Sequence, residues 1–384
     1  MERDPQILVL LGTRPEAIKL APVIRALHER AEPVGLHVLS TGQHDELLDS
    51  ALASLDLAID QNLGIMKPGQ DLYDIGIECL KRLRPTFRSI KPDVVVVEGD
   101  TATVFFGALV AFLEHAQLAH VEAGLRSRNK WAPFPEEVFR RLADVLSDMY
   151  FAPTAGARDN LLAEGVPADQ VHVSGNTVVD AVQALATGKR PVENRELHAV
   201  LESDRRIVLV TAHRRESFGA PVREMFGALR GLATSHPDDL FIYPVHPNPN
   251  VLGPASELLS GIENFLLLEP LSYSDLVNVL ARAWLVFTDS GGIQEEAPSF
   301  GVPVLVLREV TERPEGVAAG VAALAGTSGE RILKLGGELL DNPAAYRRMS
   351  QARNPYGDGR AGARIADVLL HKLLGVPRRT EDWI

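Results

Sequence analysis

Among 384 residues there is a single cysteine, Cys79. That excludes a disulfide framework and a thiolate metal cluster, both of which need several. Positive charge is short as well: 39 Lys and Arg stand against 51 Asp and Glu, a net charge of −12. A nucleic-acid-wrapping surface needs a basic stripe, so nucleic acid is not an expected partner. Long apolar runs are missing too. No stretch reaches the ~18 apolar residues that a membrane helix requires. The chain opens on Glu2, Arg3 and Asp4, and the apolar run 7–11 is too short for the core of a signal peptide. A soluble, cytoplasmic protein without a membrane partner is expected. An acidic protein can still bind a nucleotide through a few local cations.

Several catalytic signatures are absent. There is no Gly-x-x-x-x-Gly-Lys-Ser/Thr phosphate loop, no His-Glu-x-x-His and no Gly-x-Ser-x-Gly elbow. One Gly-x-Gly-x-x-Gly occurs, at Gly357, Gly359 and Gly362, but it follows a polar helical stretch and not a strand. That is the wrong setting for a dinucleotide fingerprint, so no NAD is expected. No Asp-x-Asp that would carry a metal-bridged diphosphate is present, and no metal is expected. Phosphate charge must be met by Arg, Lys, His and helix termini.

What is present is globular composition, 46% apolar and 23% charged, at a length that suggests two domains. The most informative segment is 8–19, Leu-Val-Leu-Leu-Gly-Thr-Arg-Pro-Glu-Ala-Ile-Lys. Four apolar residues read as a buried strand that Gly12 breaks. Thr13 then stands at an N-cap position, Pro15 at the first helical position, and Glu16 as the capping-box partner. A strand delivering into a helix N-terminus makes an anion site. Arg14 is on that turn and Lys19 about one helical turn further on. Further strands are expected at 36–40, 94–97, 118–121 and 149–152, then at 207–211, 241–244, 265–268, 285–288 and 304–307, alternating with helical patterns. Such alternation implies two doubly wound parallel sheets. The polar stretch 187–206 reads as a helix or linker between them. No residue-level repeat relates the halves.

Ligands of such sheets bind beyond the carboxyl ends of the strands. Asp100 follows the strand 94–97, Glu122 follows 118–121, and Glu136 starts a helix that runs through Arg140 and Arg141. Three carboxylates at one sheet edge suit proton transfer. Their plainer roles would be helix-terminal acids and caps. In the second half, His213, Arg214 and Arg215 follow 207–210. Ser290, Gly291 and Gly292 open a helix where backbone can approach a phosphate. Glu296 lies one turn on, placed to accept from ribose hydroxyls, and Arg308 and Arg313 add charge.

Taken together, these segments resemble the non-hydrolysing UDP-N-acetylglucosamine 2-epimerase family. The matching pieces are Gly12-Thr-Arg-Pro-Glu-Ala-Ile-Lys, Thr41-Gly-Gln-His, Gly99-Asp-Thr, His120-Val-Glu-Ala-Gly-Leu-Arg and Pro135-Glu-Glu. Gly175-Asn-Thr-Val-Val-Asp, His213-Arg-Arg-Glu-Ser, Tyr243-Pro-Val-His-Pro-Asn, Thr288-Asp-Ser-Gly-Gly-Ile-Gln-Glu-Glu-Ala-Pro, Thr311-Glu-Arg-Pro-Glu and Asn354-Pro-Tyr-Gly-Asp-Gly complete them. The resemblance implies an α/β fold of two Rossmann-like domains, glycosyltransferase-B-like, with the active site in an interdomain cleft. The expected division is 1–185 for the domain with the carboxylates, 186–360 for the UDP-binding domain, and 361–384 for a C-terminal helix, about 361–374, crossing back to the first.

The resemblance also assigns roles. UDP is held by Arg14, His213, Ser290, Gly291, Gly292, Glu296 and Arg313, with Lys19 nearby. Asp100, Glu122 and Glu136 handle protons, and His213 is counted with them as catalytic. A second UDP-N-acetylglucosamine, favouring a closed cleft, would be met by Gln43, Gln70, Arg214 and His246. Four features depart from the family pattern: Thr101-Ala-Thr in place of a threonine run, Leu271 and Leu276 near the uracil, Glu46 where Gln is common, and Gly69 where Arg can occur. A homodimer serving a polysaccharide pathway is implied.

The substrate's own chemistry then restricts the mechanism. The proton on C2 is not next to a ketone, so simple deprotonation is too costly, and without NAD transient oxidation is unavailable. Expelling UDP from C1 while a carboxylate takes the C2 proton gives 2-acetamidoglucal, and re-addition with protonation from the other face inverts C2. Competing readings are a nucleotide-sugar glycosyltransferase on the same architecture, a hydrolysing 2-epimerase, and a sugar-nucleotide sensor without turnover.

Overall fold

The computed structural model describes residues 3–42, 46–65, 67, 69–188 and 191–383. The chain divides into two units, Met1–Ala181 with Gly357–Ile384, and Val182–Tyr356. Among the described residues no helix is long and apolar enough to cross a membrane.

The first unit holds seven parallel strands: β1 (Gln6–Leu11), β2 (Gly35–Ser40), β3 (Gln61–Asn62), β4 (Val94–Glu98), β5 (Gln117–Val121), β6 (Met149–Ala152) and β7 (Val171–Val173). Their order is β3-β2-β1-β4-β5-β6-β7. The second unit holds six: β8 (Ile207–Thr211), β9 (Leu240–Pro244), β10 (Phe265–Leu268), β11 (Ala283–Thr288), β12 (Val304–Val306) and β13 (Ala322–Leu324), in the order β10-β9-β8-β11-β12-β13. Both orders reverse direction once, between β1 and β4 and between β8 and β11. A doubly wound sheet leaves its ligand crevice at such a reversal, because the helices after the two strands lie on opposite faces and their loops part.

Burial explains why the strands read as unbroken apolar runs. Ile7, Val9 and Leu11 pack on one face of the first sheet, against the helices Arg14–His28 and Ala361–Leu374. Leu8 and Leu10 pack on the other face, with the helices Leu72–Ile90 and Ala102–Leu113. With both faces covered, alternation with polar residues disappears. The helix Ala361–Leu374 lies against Arg14–His28 so closely that a Cβ on Gly362 would stand 2.6 Å from the Pro22 carbonyl oxygen. Glycine at that position is therefore a packing requirement. It sits in the Gly-x-Gly-x-x-Gly segment, which follows the helix Pro343–Ser350 and meets no strand. In the stretch 187–206 the structure has the helix Arg195–Leu201.

Candidate active site

The candidate side chains of the first unit stand in or beyond the loops after β1, β4 and β5. After β1 the chain passes through Gly12, where a Cβ would lie 2.2 Å from Thr103 Oγ1 and 2.6 Å from Thr41 Oγ1. Those hydroxyls bond each other at 2.6 Å, closing the turn on a residue without a side chain. The helix starts at Arg14, so Pro15 occupies its second position and not the first. Glu16 is buried, and one of its carboxylate oxygens accepts from the backbone N–H groups of Gly12 and Thr13. The other accepts from the Thr101 hydroxyl in the loop after β4. One carboxylate thus ties both loops at the sheet reversal. Arg14, on the same turn, is half-buried and has no ion-pair partner among the described residues.

Asp100 is gripped by the Arg140 guanidinium from the helix Glu136–Leu146. The same Arg140 reaches Glu137 at 3.6 Å. The two adjacent acids at that helix start have separate jobs. Glu137 is buried and accepts from the backbone N–H groups of Ser127 at 2.9 Å and Arg128 at 3.3 Å. Glu136 is half-buried, and its side chain makes no hydrogen bond among the described residues.

Glu122 follows β5 with a left-handed backbone, φ +64°. For a residue with a Cβ this costs energy, and such outliers collect at functional sites. Lys19 Nζ stands 2.5 Å from Glu122 Oε1 and 3.0 Å from Glu98 Oε1, and Asn176 Nδ2 donates to Glu122 at 3.2 Å. Burial pushes the Glu98 carboxyl well above its ordinary range. Lys19 opposes this, and the neighbouring Glu122 adds to it. His120 lies beneath, fully buried, between Asp144 at 2.7 Å and the Gly99 carbonyl at 2.8 Å. Burial works against its charge, but the Asp144 carboxylate outweighs that and raises it. His120 therefore anchors the backbone next to Asp100.

In the second unit the loops after β8 and β11 meet at the equivalent reversal. Thr211 and Thr288 bond side chain to side chain at 2.6 Å. Beyond them, Asp289 is fully buried and accepts from the backbone N–H groups of His213 at 2.6 Å and Arg214 at 2.8 Å. His213 stacks on His246, centroids 5.6 Å apart and planes at 12°. Ser290 precedes the short helix Gly291–Glu296. The Arg313 guanidinium lies beside the turn, its Nη2 at 3.8 Å from where a Gly291 Cβ would be, and its Nε donates to buried Glu295. Glu296 is buried, accepts from Tyr273 OH at 3.3 Å, and has Oε1 3.8 Å from the Gly292 Cβ position. Ser290, Gly291, Gly292, Glu296 and Arg313 thus form one cluster. Arg308 is engaged elsewhere, by Glu216 at 2.6 Å and Glu312 at 3.7 Å.

A model of the family described as UDP-N-acetylglucosamine 2-epimerase matches residues 25–370. The chain belongs to that family. It is 45% identical over 367 residues to the UDP-N-acetylglucosamine 2-epimerase of Bacillus subtilis, covering 95% of each chain. With that of Escherichia coli K12 it shares 44% over 370 residues, 95% of this chain and 98% of the other. Among solved structures it resembles the Neisseria meningitidis UDP-GlcNAc 2-epimerase bound to UDP-GlcNAc. That match has TM-score 0.85 and 41% identity, over 95% of this chain and 99% of that one. The glycosyltransferase-B-like pair of Rossmann-like sheets is the architecture of these epimerases.

Of the residues named for a second sugar nucleotide, Gln43 lies outside the described residues. Gln70 is half-buried and accepts from the Lys67 backbone N–H. Arg214 and His246 flank His213. Leu271 and Leu276 are half-buried against the core of the second unit. Glu98, His120, Arg140, Asn176 and Asp289 carry no role in the sequence reading, although each stands in or beside a segment it singled out. What joins them to the site is contact across strands, which spacing along the chain does not encode.

Proposed function

We propose that this chain interconverts UDP-N-acetylglucosamine and UDP-N-acetylmannosamine by inverting C2, expelling UDP and adding it back through 2-acetamidoglucal. In this reading the second unit binds UDP, with His213, Ser290, Gly291, Gly292 and Arg313 on the diphosphate and Glu296 on the ribose. Arg14 adds a cation from the first unit. Stabilising the departing diphosphate is the main electrostatic task, and pre-placed donors suit it because they need no reorganisation. Asp100, Glu122 and Glu136 carry protons to and from C2.

The observation that supports this most is Glu122: a carboxylate at a strand end, in a left-handed turn, with Lys19 as counter-charge and a second carboxyl behind it. A site that only bound a nucleotide would have no use for acids concentrated there. The test is NMR of UDP-N-acetylglucosamine with the protein in deuterium oxide, without added metal or NAD. UDP-N-acetylmannosamine carrying deuterium at C2 is expected. Epimerised product that keeps its C2 proton overturns the elimination route, and free N-acetylmannosamine with UDP indicates hydrolysis.

The reading includes no cofactor, a cytoplasmic setting, and a homodimer. Exposed apolar side chains support the dimer: Tyr73, Ile77, Phe112, Leu142 and Val145 lie on three neighbouring helices of the first unit. It also includes activation by a second UDP-N-acetylglucosamine, for which Arg214 and His246 supply the groups beside His213.

A further inference from the structure

Asp289 is the buried charge at the sheet reversal of the second unit, and its two oxygens have different tasks. Oδ2 takes the two backbone N–H groups at 2.6 and 2.8 Å, which fixes the carboxylate plane. Oδ1 is buried, has no hydrogen bond among the described residues, and faces His213 Nδ1 at 3.3 Å. The His213 side chain is 41% exposed, so one edge of the ring meets a buried carboxylate while the rest is open. His246 covers one ring face.

We propose that Asp289 is a positioning residue that holds His213 in the tautomer with the proton on Nδ1, so that Nε2 takes up a proton when a diphosphate arrives. The inference rests on the reading of His213 as a diphosphate ligand. A carboxylate acceptor at Nδ1 selects the Nδ1–H form, and the other nitrogen is then a bare acceptor. A bare acceptor facing a phosphate oxygen is repulsive. One proton from solvent at Nε2 turns it into a charge-assisted donor, and Asp289 is the counter-charge for the imidazolium.

The charged and titratable groups around the ring set the direction. Burial lowers the His213 pKa, Asp289 opposes this, and Arg214 and His246 lower it further. Tyr243, which donates to the Ala212 carbonyl at 2.6 Å, stays a neutral phenol because burial raises it strongly. Together these groups hold the His213 pKa below its ordinary value in the free protein. An incoming dianion reverses the balance set by Arg214 and His246.

The test uses the full chain labelled with 15N-histidine, His213 being assigned through His213→Gln. In the free wild-type protein the His213 ring is expected as Nδ1–H with an unprotonated Nε2, and the Nε2–H tautomer there overturns the proposal without any variant. Calorimetry of UDP binding at pH 7.5, in buffers of different ionisation enthalpy, should show proton uptake by wild type. In Asp289→Asn the amide oxygen can still accept both backbone N–H groups while its NH₂ faces Nδ1. That variant should lose most of the proton uptake and about 10- to 100-fold in kcat, with a smaller change in KM. Unchanged tautomer and proton uptake in Asp289→Asn overturn the proposal. Unchanged UDP affinity in His213→Gln removes His213 from the diphosphate instead, a failure of the earlier reading that the tautomer measurement tells apart.

Discussion

Lys19 Nζ lies 2.5 Å from Glu122 Oε1, joining the helix after β1 to the turn after β5. The same ammonium serves Glu98 at 3.0 Å, so one cation answers a buried carboxyl and a half-buried one. Lys19 is therefore engaged by two acids of the first unit. Removing charge from a buried pair usually leaves the partner uncompensated, at a cost of about 3–5 kcal/mol. The cluster constrains the geometry of Glu122.

Glu98 makes the stability of the first unit pH-dependent in a definite direction. Burial raises its pKa in the folded state above the ordinary 4.5. Such an acid contributes stability fully below 4.5 and loses it as pH rises through the folded-state value, because the folded state then gives up a proton it favours. In thermal melts, the difference between Glu98→Gln and wild type should move in favour of the variant as pH rises above 4.5. A constant difference from pH 4 to 8 contradicts this.

Neutralising each proposed proton carrier should separate chemistry from binding. Asp100→Asn, Glu122→Gln and Glu136→Gln are each expected to lower turnover by roughly 10²-fold or more. Affinity for UDP should stay within about threefold, since none is assigned to the diphosphate. Steady-state kinetics with calorimetry of UDP checks both halves, and near-normal turnover in any variant removes that acid from the mechanism.

The cations should behave in the opposite way. A charge-assisted hydrogen bond to a desolvated phosphate is worth ~1.5–3 kcal/mol, about ten- to hundredfold in affinity. Arg14→Ala and His213→Ala are expected to weaken UDP by that factor as well as to slow turnover. Calorimetry showing unchanged affinity in both excludes them from the diphosphate.

Activation by a second sugar nucleotide is tested in the reverse reaction. Started with UDP-N-acetylmannosamine alone, turnover should begin slowly and rise as small amounts of UDP-N-acetylglucosamine are added. If a second diphosphate lies near Gly69, a residue without charge there offers it no cation, and the proposed activation should need a higher concentration of the additive than in a Gly69→Arg variant. Full speed from the start, indifferent to the additive, shows that activity here needs no second ligand.

The proposed homodimer predicts that exposed apolar side chains of the first unit become covered on self-association. Ile77 and Val145 are 61% and 78% exposed, which is costly for residues that could be covered. Sedimentation should give twice the 41.8 kDa of the chain. Ile77→Lys combined with Val145→Glu should give single chains. A wild-type monomer at micromolar concentration refutes the dimer.

Much of the architecture is written in short-range pattern. Unbroken apolar runs such as 94–97 and 207–210 specify strands covered on both faces, and the Gly-Thr-Arg-Pro-Glu turn specifies a strand entering a helix. The short strands β3, β7 and β13 did not show, because Gln-Asn, Val-His-Val and Ala-Ala-Leu lack the unbroken large apolar run that marks the similarly short β12. Family membership was likewise legible, since the motifs lie in the loops that a doubly wound sheet reserves for ligands.

What sequence alone determined is the residue types at the strand ends: Asp100, Glu122 and Glu136 in one half, His213, Ser290, Gly291, Gly292 and Arg313 in the other. Tertiary structure decided which of them act together and which neighbours control them. Arg140 on Asp100, Lys19 between Glu98 and Glu122, Glu137 holding the 127–128 loop, and Asp289 under His213 are contacts between residues 9 to 103 positions apart. The adjacent acids Glu136 and Glu137 read alike in sequence and differ in the fold, one half-open and one buried on backbone N–H groups. The physical reason is that protonation and orientation depend on burial and on the nearest charge. Both are set by which strands lie side by side at the reversal of each sheet.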